Sequence, residues 1–366
     1  METILNMKKK CADLNLRWIT EEGNPAAKLW IVKAFPTSEE FQFNKAFVGA
    51  SGYFFDRCLE IAGVNRRHAY ITFIQPSEGY ADPELWNQSI EAFTSMVRMF
   101  KPHLVLAVGE AAYTALTGNK GLKLWRGVVT HNVFSKVMST FDPAEVLLMG
   151  DASAKKEAAG KGRIRYGYGS GRITLLNDLK RAKAEAALPD FELPDRKLWS
   201  QSSFEEIMGC LEHFARAPEL AFDIETKGNW IDRIAFSDSS DFALSIEIDK
   251  GPMKEEVKGR VKDLLTTHKG LIAQNGFFDV PKISHNWEIR MPRLLADTMV
   301  AHHLLYPDLP HDLGYMASVY CNVGTILHPP GWEEDDSRGD FNALHTAVTI
   351  ELWDILREEL RGAIHG

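Results

Sequence analysis

From Lys28 onward, short apolar runs alternate with longer stretches whose apolar positions recur every three or four residues. KLWIVKAF (28–35), HAYITFIQP (68–76), HLVLAVG (103–109) and KVMSTFDP (136–143) read as strands. Between them, FVGASGYFFDRCLEIAG (47–63), DPELWNQSIEAFTSMVRMF (82–100) and EAAYTALTG (110–118) read as helices, the last ended by Gly118. Such alternation predicts a mostly parallel sheet covered by helices. A helix over 173–187 closes this half, and the two prolines that follow predict a linker over 188–199. Beyond it the pattern predicts a helix (203–216), the strand ELAFDIET, two strands over 233–248 turning at Asp238–Asp241, a helix near 253–267 and the strand GLIAQN (270–275). Helical periodicity then fills 278–288, 294–306, 311–321 and 340–363.

One stretch breaks the alternation. Residues 151–172 hold six Lys/Arg against two acids, with five glycines and two tyrosines. Lys155, Lys156, Lys161, Arg163, Arg165 and Arg172 suit a grip on phosphates, with the tyrosines able to stack on bases; a plain flexible insertion has the same composition. Charge is unevenly divided. Through Ala187 there are 25 Lys/Arg and 19 Asp/Glu, a net of +6; the remainder has 17 against 31, a net of −14. A basic half beside a carboxylate-rich half fits nucleic acid on one side and cations on the other, or two unrelated solvated surfaces. With 366 residues, two domains are expected, 1–187 and 200–366. No apolar run is long enough to predict a membrane span, and no signal-peptide pattern opens the chain. Cys11, Cys58, Cys210 and Cys321 stand far apart, which suits a reducing cytoplasm and argues against a disulfide framework.

The chemistry concentrates in L-A-F-D-I-E-T-K (220–227). Asp223 and Glu225 alternate along a strand, so both carboxylates share one face, and two like charges that close call for a divalent cation. Downstream, LIAQNGFFDV places Asp279 just after another strand end; DTMVAHHLL (297–305) and DFNALHTAV (340–348) follow. In order and spacing these blocks resemble the 3′–5′ exonuclease domain of family A DNA polymerases. The resemblance implies an RNase H-like (DEDD) α/β domain over 200–366, with Asp223, Glu225 and Asp279 holding Mg²⁺ or Mn²⁺ and Asp297 a structural hydrogen-bonder. Its third block is normally Y-x-x-x-D, the Tyr orienting the attacking water; here Phe341 and His345 occupy those positions. Imidazole in place of a carboxylate suits manganese or zinc better than magnesium, and Phe341 cannot hydrogen-bond a water. That pair predicts a nuclease weakened or lost. Alternatively, His345 is a satisfied histidine with no metal role. Asp335, Asp336 and Asp340 are either a replacement carboxylate source or a solvated loop and helix cap.

In the first half FVGASGYFFD, RRHAYIT, KPHLVLAVGEAA, LWRG and STFDPAEVLL resemble the uracil-DNA glycosylase superfamily, nearest to its family 4. This implies a three-layer α/β domain with a parallel sheet. The catalytic positions depart: Ala34 stands where the family has an acid, Phe73 where it has the base-reading Asn, and Asp142 where it has His, while Pro36 and Phe47 are retained. No uracil excision and no iron–sulfur cluster are expected; Phe47 and Phe73 form either a stacking surface for an unpaired base or part of the core. The two domains together resemble the N-terminal part of certain phage DNA polymerases. They imply a DNA-binding replication protein or polymerase fragment, acting on a single-stranded 3′ end beside a polymerase domain or subunit in the cytoplasm of a bacterial host. A non-catalytic docking subunit is the alternative, and an active glycosylase a minor one.

Overall fold

A computed structural model of the chain describes residues 2–13, 15–78, 82–131, 134–149, 168–248, 254–327, 329 and 335–365. It divides into two compact units, Met1–Glu192 and Leu193–Gly366.

In the first unit, helix α1 (Glu2–Asp13) precedes strand β1 (Leu29–Lys33), short helix α2 (Ser38–Phe43) and helix α3 (Gly49–Ala62). Strand β2 (Tyr70–Phe73), helix α4 (Pro83–Phe100), strand β3 (Leu104–Val108) and helices α5 (Glu110–Thr117) and α6 (Leu122–Trp125) follow. Strands β4 (Val129–His131) and β5 (Lys136–Thr140), a helix α7 over 143–149 and helix α8 (Tyr168–Ala187) complete it. The sheet runs β2-β1-β3-β5-β4, parallel except for β4. Its four parallel strands are buried along their whole length because both faces are covered. Trp30, Val32, Val105, Ala107 and Val137 meet Phe93, Val97, Ala112 and Tyr113 of α4 and α5 on one side. On the other side α8 lies over β1, β3 and β5 and packs against α3. A buried ion pair ties α8 down: Arg126 Nη1 lies 3.1 Å from Asp178 Oδ1, whose other oxygen accepts from Thr140 Oγ1 at 2.8 Å. The three-layer, mostly parallel architecture expected for this half is observed. The short α2, α6 and β4 have too few residues to show a period.

The second unit contains strand β6 (Lys197–Trp199), helix α9 (Phe204–Phe214) and strands β7 (Leu220–Lys227), β8 (Trp230–Ser239) and β9 (Phe242–Glu247). Helix α10 (Lys254–Thr267), strand β10 (Leu271–Ala273), helix α11 (Gly276–Trp287) and strand β11 (Ala296–Asp297) come next. Helices α12 (Thr298–Leu305), α13 (Leu313–Tyr320) and the long α14 (Asp335–His365) end it. The mixed sheet runs β11-β10-β7-β8-β9-β6, with β7-β8-β9 antiparallel. Two expectations are corrected. Residues 197–199, read as linker, pair in parallel with Phe242–Leu244, because Leu198 finds apolar cover beside Ala243, Ala343 and Ala347. Residues 294–306 are not one helix: Ala296 and Asp297 extend the sheet beside β10, and the helix starts only after Asp297.

Period two decides which face of β7 does what. Leu220, Phe222 and Ile224 point into a core shared with Leu211 and Phe214 of α9, Val261 and Leu265 of α10, and Ile283 and Trp287 of α11. Ala221, Asp223 and Glu225 point the other way, where Ala221 packs with Ile350 of α14. Small residues let α14 approach closely: Ala343 and Ala347 lie against Ala243. At Gly339 even a methyl group is excluded, since a Cβ there would lie 2.7 Å from Ser200 Cβ and 2.9 Å from Arg233 Nη1.

Candidate functional site

The carboxylates of Asp223 and Glu225 therefore emerge under the first half of α14. His345 comes down to meet them, with Nδ1 3.8 Å from Asp223 Oδ2 and 3.9 Å from Glu225 Oε1. The imidazole is only 3% exposed, and its Nε2 donates to the Leu327 carbonyl at 3.1 Å. A carbonyl only accepts, so the proton of the neutral ring is fixed on Nε2 and the Nδ1 lone pair is aimed at the acids. One ligand atom from each of Asp223, Glu225 and His345 can be chosen so that all lie within 4.8 Å of one another. Metal–ligand bonds of about 2.0–2.2 Å keep two ligands of one ion within about 4.4 Å of each other, so the set fits a divalent cation after small side-chain movements that draw the donors together. The tie from Nε2 to a backbone carbonyl is the support that metal-bound histidines use.

Two further side chains of α14 touch the same carboxylates. Asn342, fully buried, donates from Nδ2 to Asp223 Oδ2 at 2.8 Å, and its own Oδ1 accepts from Ser245 Oγ at 2.8 Å. The sheet register makes this bridge possible: Asp223 lies opposite Ala235, which lies opposite Ser245, and the small alanine between them leaves room for the amide. Arg338 holds the other acid, with Nη2 3.7 Å from Glu225 Oε2. It is anchored by Asp232 Oδ2 at 2.9 Å and by the Thr226 carbonyl at 2.7 Å. Sequence reasoning missed both. Their signal was spacing, since 338, 342 and 345 fall on one helical face.

Asp279 sits in the first turn of α11, 3% exposed. Burial, then the charges of Asp223, Asp297 and Glu225, push its pKa well above the carboxylate range. Glu225 is pushed up to about 7 by burial and by Asp223, against the pull of His345 and Arg338. Burial opposes a charge on His345, but the hydrogen bond and charge of Asp223, the Leu327 carbonyl and Glu225 outweigh it and raise the pKa. Without a cation, this is a pocket that holds protons. Asp297 does structural work: it caps α12 through Met299 N at 2.9 Å and accepts from Gly276 N at 2.8 Å. Phe341 is half-buried and brings no hydroxyl. Asp340 is exposed and bonded to Ser200, outside the cluster.

In the first unit Phe47 and Phe73, read as either a base-stacking surface or core, are closed off from solvent. Phe73 is 3% and Phe47 5% exposed, with Phe47 stacked on Phe55 at 4.3 Å between centroids. Phe47 is also roofed by the Lys33 ammonium, 5.3 Å from the ring. That ammonium lies 3.1 Å from the buried Glu40 Oε1 and 3.8 Å from Asp142 Oδ2. Ala34 and Pro36 are buried. Of the two readings left open for Phe47 and Phe73, the structure shows core packing, set around an ion pair that the sequence did not reveal. Lys155, Lys156, Lys161, Arg163 and Arg165 lie outside the described residues; Arg172 is exposed near the start of α8.

Residues 20–160 match the uracil DNA glycosylase superfamily, and residues 201–328 match a 3′-5′ exonuclease family. The chain thus carries a glycosylase-superfamily domain followed by a 3′-5′ exonuclease domain. The second match ends before α14, so His345 is placed by geometry. Among solved structures, the chain is similar to the catalytic core of RRP6 from Trypanosoma brucei (14% identity, 50% of this chain and 54% of that one, TM-score 0.38). It is similar also to the Nibbler EXO domain of Aedes aegypti (12% identity, 47% and 88%, TM-score 0.36). A third is the POL domain of Pol1 from M. smegmatis (14% identity, 44% and 27%, TM-score 0.35). The chain spans about half the length of the RRP6 core and about a quarter of the polymerase. No described helix is long and apolar enough to cross a membrane.

Proposed function

We propose that the chain acts on DNA, its second unit being a metal-dependent 3′–5′ exonuclease of altered ligand set. It works slowly on a single-stranded 3′ end and prefers Mn²⁺ to Mg²⁺. The observation that carries this reading is the convergence of Asp223, Glu225 and His345 on one point beside the buried Asp279. A divalent cation there would activate water and stabilise the leaving oxygen. Asp223, Glu225 and His345 would hold the cation; Asn342 fixes the Asp223 carboxylate, and the Leu327 carbonyl fixes the His345 ring. The nitrogen donor favours manganese over magnesium, and Phe341 leaves the attacking water without the usual hydroxyl partner, which slows the reaction. The first unit contributes DNA affinity without base excision, since Ala34 and Phe73 offer nothing to hydrogen-bond an extruded base. In this reading the protein serves beside a DNA polymerase in phage replication, in the host cytoplasm.

A docking role without catalysis is favoured by a different observation: Asn342 and Arg338 already engage both carboxylates from within the protein. Digestion of a 5′-labelled single-stranded oligonucleotide in Mg²⁺ and then Mn²⁺ separates the two. Stepwise 3′ shortening in Mn²⁺ that Asp223→Ala abolishes is the expected result. Absence of shortening in either metal, with activity gained only by His345→Asp, would leave the docking role.

A further inference from the structure

We propose that the site takes a single divalent cation, and that the Arg338 guanidinium supplies from the protein the positive charge a second cation would bring. This rests on the metal-dependent reading above and deepens it. Asp223, Glu225 and His345 provide one set of three converging donor atoms, and the described residues contain no second such set. Both oxygens of Glu225 and one of Asp223 already face other groups of the protein. Asp223 Oδ2 accepts from the Asn342 amide at 2.8 Å. Glu225 turns Oε1 towards His345, at 3.9 Å, and Oε2 towards Arg338, at 3.7 Å.

Arg338 is no adjustable surface group. Its side chain is 7% exposed, and the contacts to Asp232 Oδ2 and the Thr226 carbonyl hold the fork in place beside Glu225. Arginine does not lose its proton in proteins, so this cation is permanent. A second dication taken up by Glu225 Oε2 would sit within a few ångströms of a buried guanidinium that cannot move away. Like charges that close in a water-poor site repel strongly. His345 fits this arrangement, since a neutral donor in place of a fourth carboxylate lowers the negative charge available to a second ion.

The test is a Mn²⁺ titration of the full chain, with free Mn²⁺ read by its electron paramagnetic resonance signal. Asp223→Ala serves as the blank for adventitious surface sites. One equivalent above the blank is expected for the unaltered protein. Two equivalents would overturn the single-cation inference and leave the metal-dependent reading standing. None would overturn that reading itself. His345→Asp restores a fourth carboxylate and is expected to bind one equivalent still; two with Arg338 in place would show that the guanidinium excludes nothing. Arg338→Met combined with His345→Asp is expected to bind two, and Arg338→Lys with His345→Asp to return to one. If the methionine double variant keeps its circular dichroism spectrum yet binds one, Arg338 is not what excludes the second ion. Should that variant fail to fold, the unaltered protein and His345→Asp still decide the matter.

Discussion

Lowering the pH from 8 to 6 tests the electrostatics of the carboxylate pocket through a single quantity, its Mn²⁺ affinity. Glu225 is the informative group. Burial comes first and the Asp223 charge second in raising its pKa to about 7, from an ordinary value of 4.5. The sign follows from which form binds metal. A cation needs the carboxylate, a raised pKa favours the protonated acid, and proton and metal therefore compete. At pH 8 roughly nine-tenths of the groups are ionised, and at pH 6 roughly one-tenth, so the dissociation constant should rise about tenfold on acidification. A carboxyl at its ordinary value would change the affinity over that range by only a few per cent, on the order of experimental error. His345, also raised, must lose a proton before Nδ1 can bind a cation, so it adds to the effect in the same direction. Calorimetric titration of the full chain at pH 6, 7 and 8, in buffers that do not chelate, reads it directly. Proton release on binding near pH 7 should accompany the change, seen as a dependence of the apparent enthalpy on buffer ionisation heat. Equal dissociation constants at pH 6 and pH 8 would refute the idea that burial and mutual repulsion set the state of these acids.

Asn342→Ala removes the amide that holds Asp223 and should weaken Mn²⁺ binding about 10–100-fold, the usual cost of losing an outer support; Ser245→Ala should show a smaller loss in the same titration. Arg126→Met leaves Asp178 as an unpaired acid in the first unit, where burial already raises its pKa, and should cost about 3–5 kcal/mol in denaturant unfolding. Phe222→Ala empties a fully buried position between β7 and the α9–α11 layer and should cost about 3–5 kcal/mol, with loss of metal binding following from loss of the fold. A uracil-containing oligonucleotide should survive incubation with no free base released, because neither Ala34 nor Phe73 can hydrogen-bond the base; chromatographic detection of uracil would contradict this.

The parts of this architecture legible in the sequence were those governed by a short period. Alternation by two in L-A-F-D-I-E-T puts Asp223 and Glu225 on the face opposite Phe222 and Ile224, whatever packs there, and β7 shows that arrangement. What covers that face was not legible. Arg338 and Asn342 are ordinary polar residues near the start of a helix and look like part of a solvated surface. They become contacts only once β7, β8 and β9 are in register, when Ser245 and Asp223 flank the small Ala235 and one amide can span both. The Lys33–Glu40 pair was hidden for a related reason: Glu40 sits in the first turn of the short polar helix α2, and nothing local reveals that its carboxylate accepts from Phe47 N and meets the ammonium at the end of β1. Taken alone, His345 is a lost acid. Seen with Asn342 three residues before it and Arg338 seven before it, it is one member of a helical face that is neutral or cationic throughout and meets an acidic strand face. A lone His345→Asp change would then place a carboxylate on that face without removing Arg338. The histidine and the arginine should consequently be coupled, and the effect of replacing both on Mn²⁺ stoichiometry should differ from the sum of the two single changes.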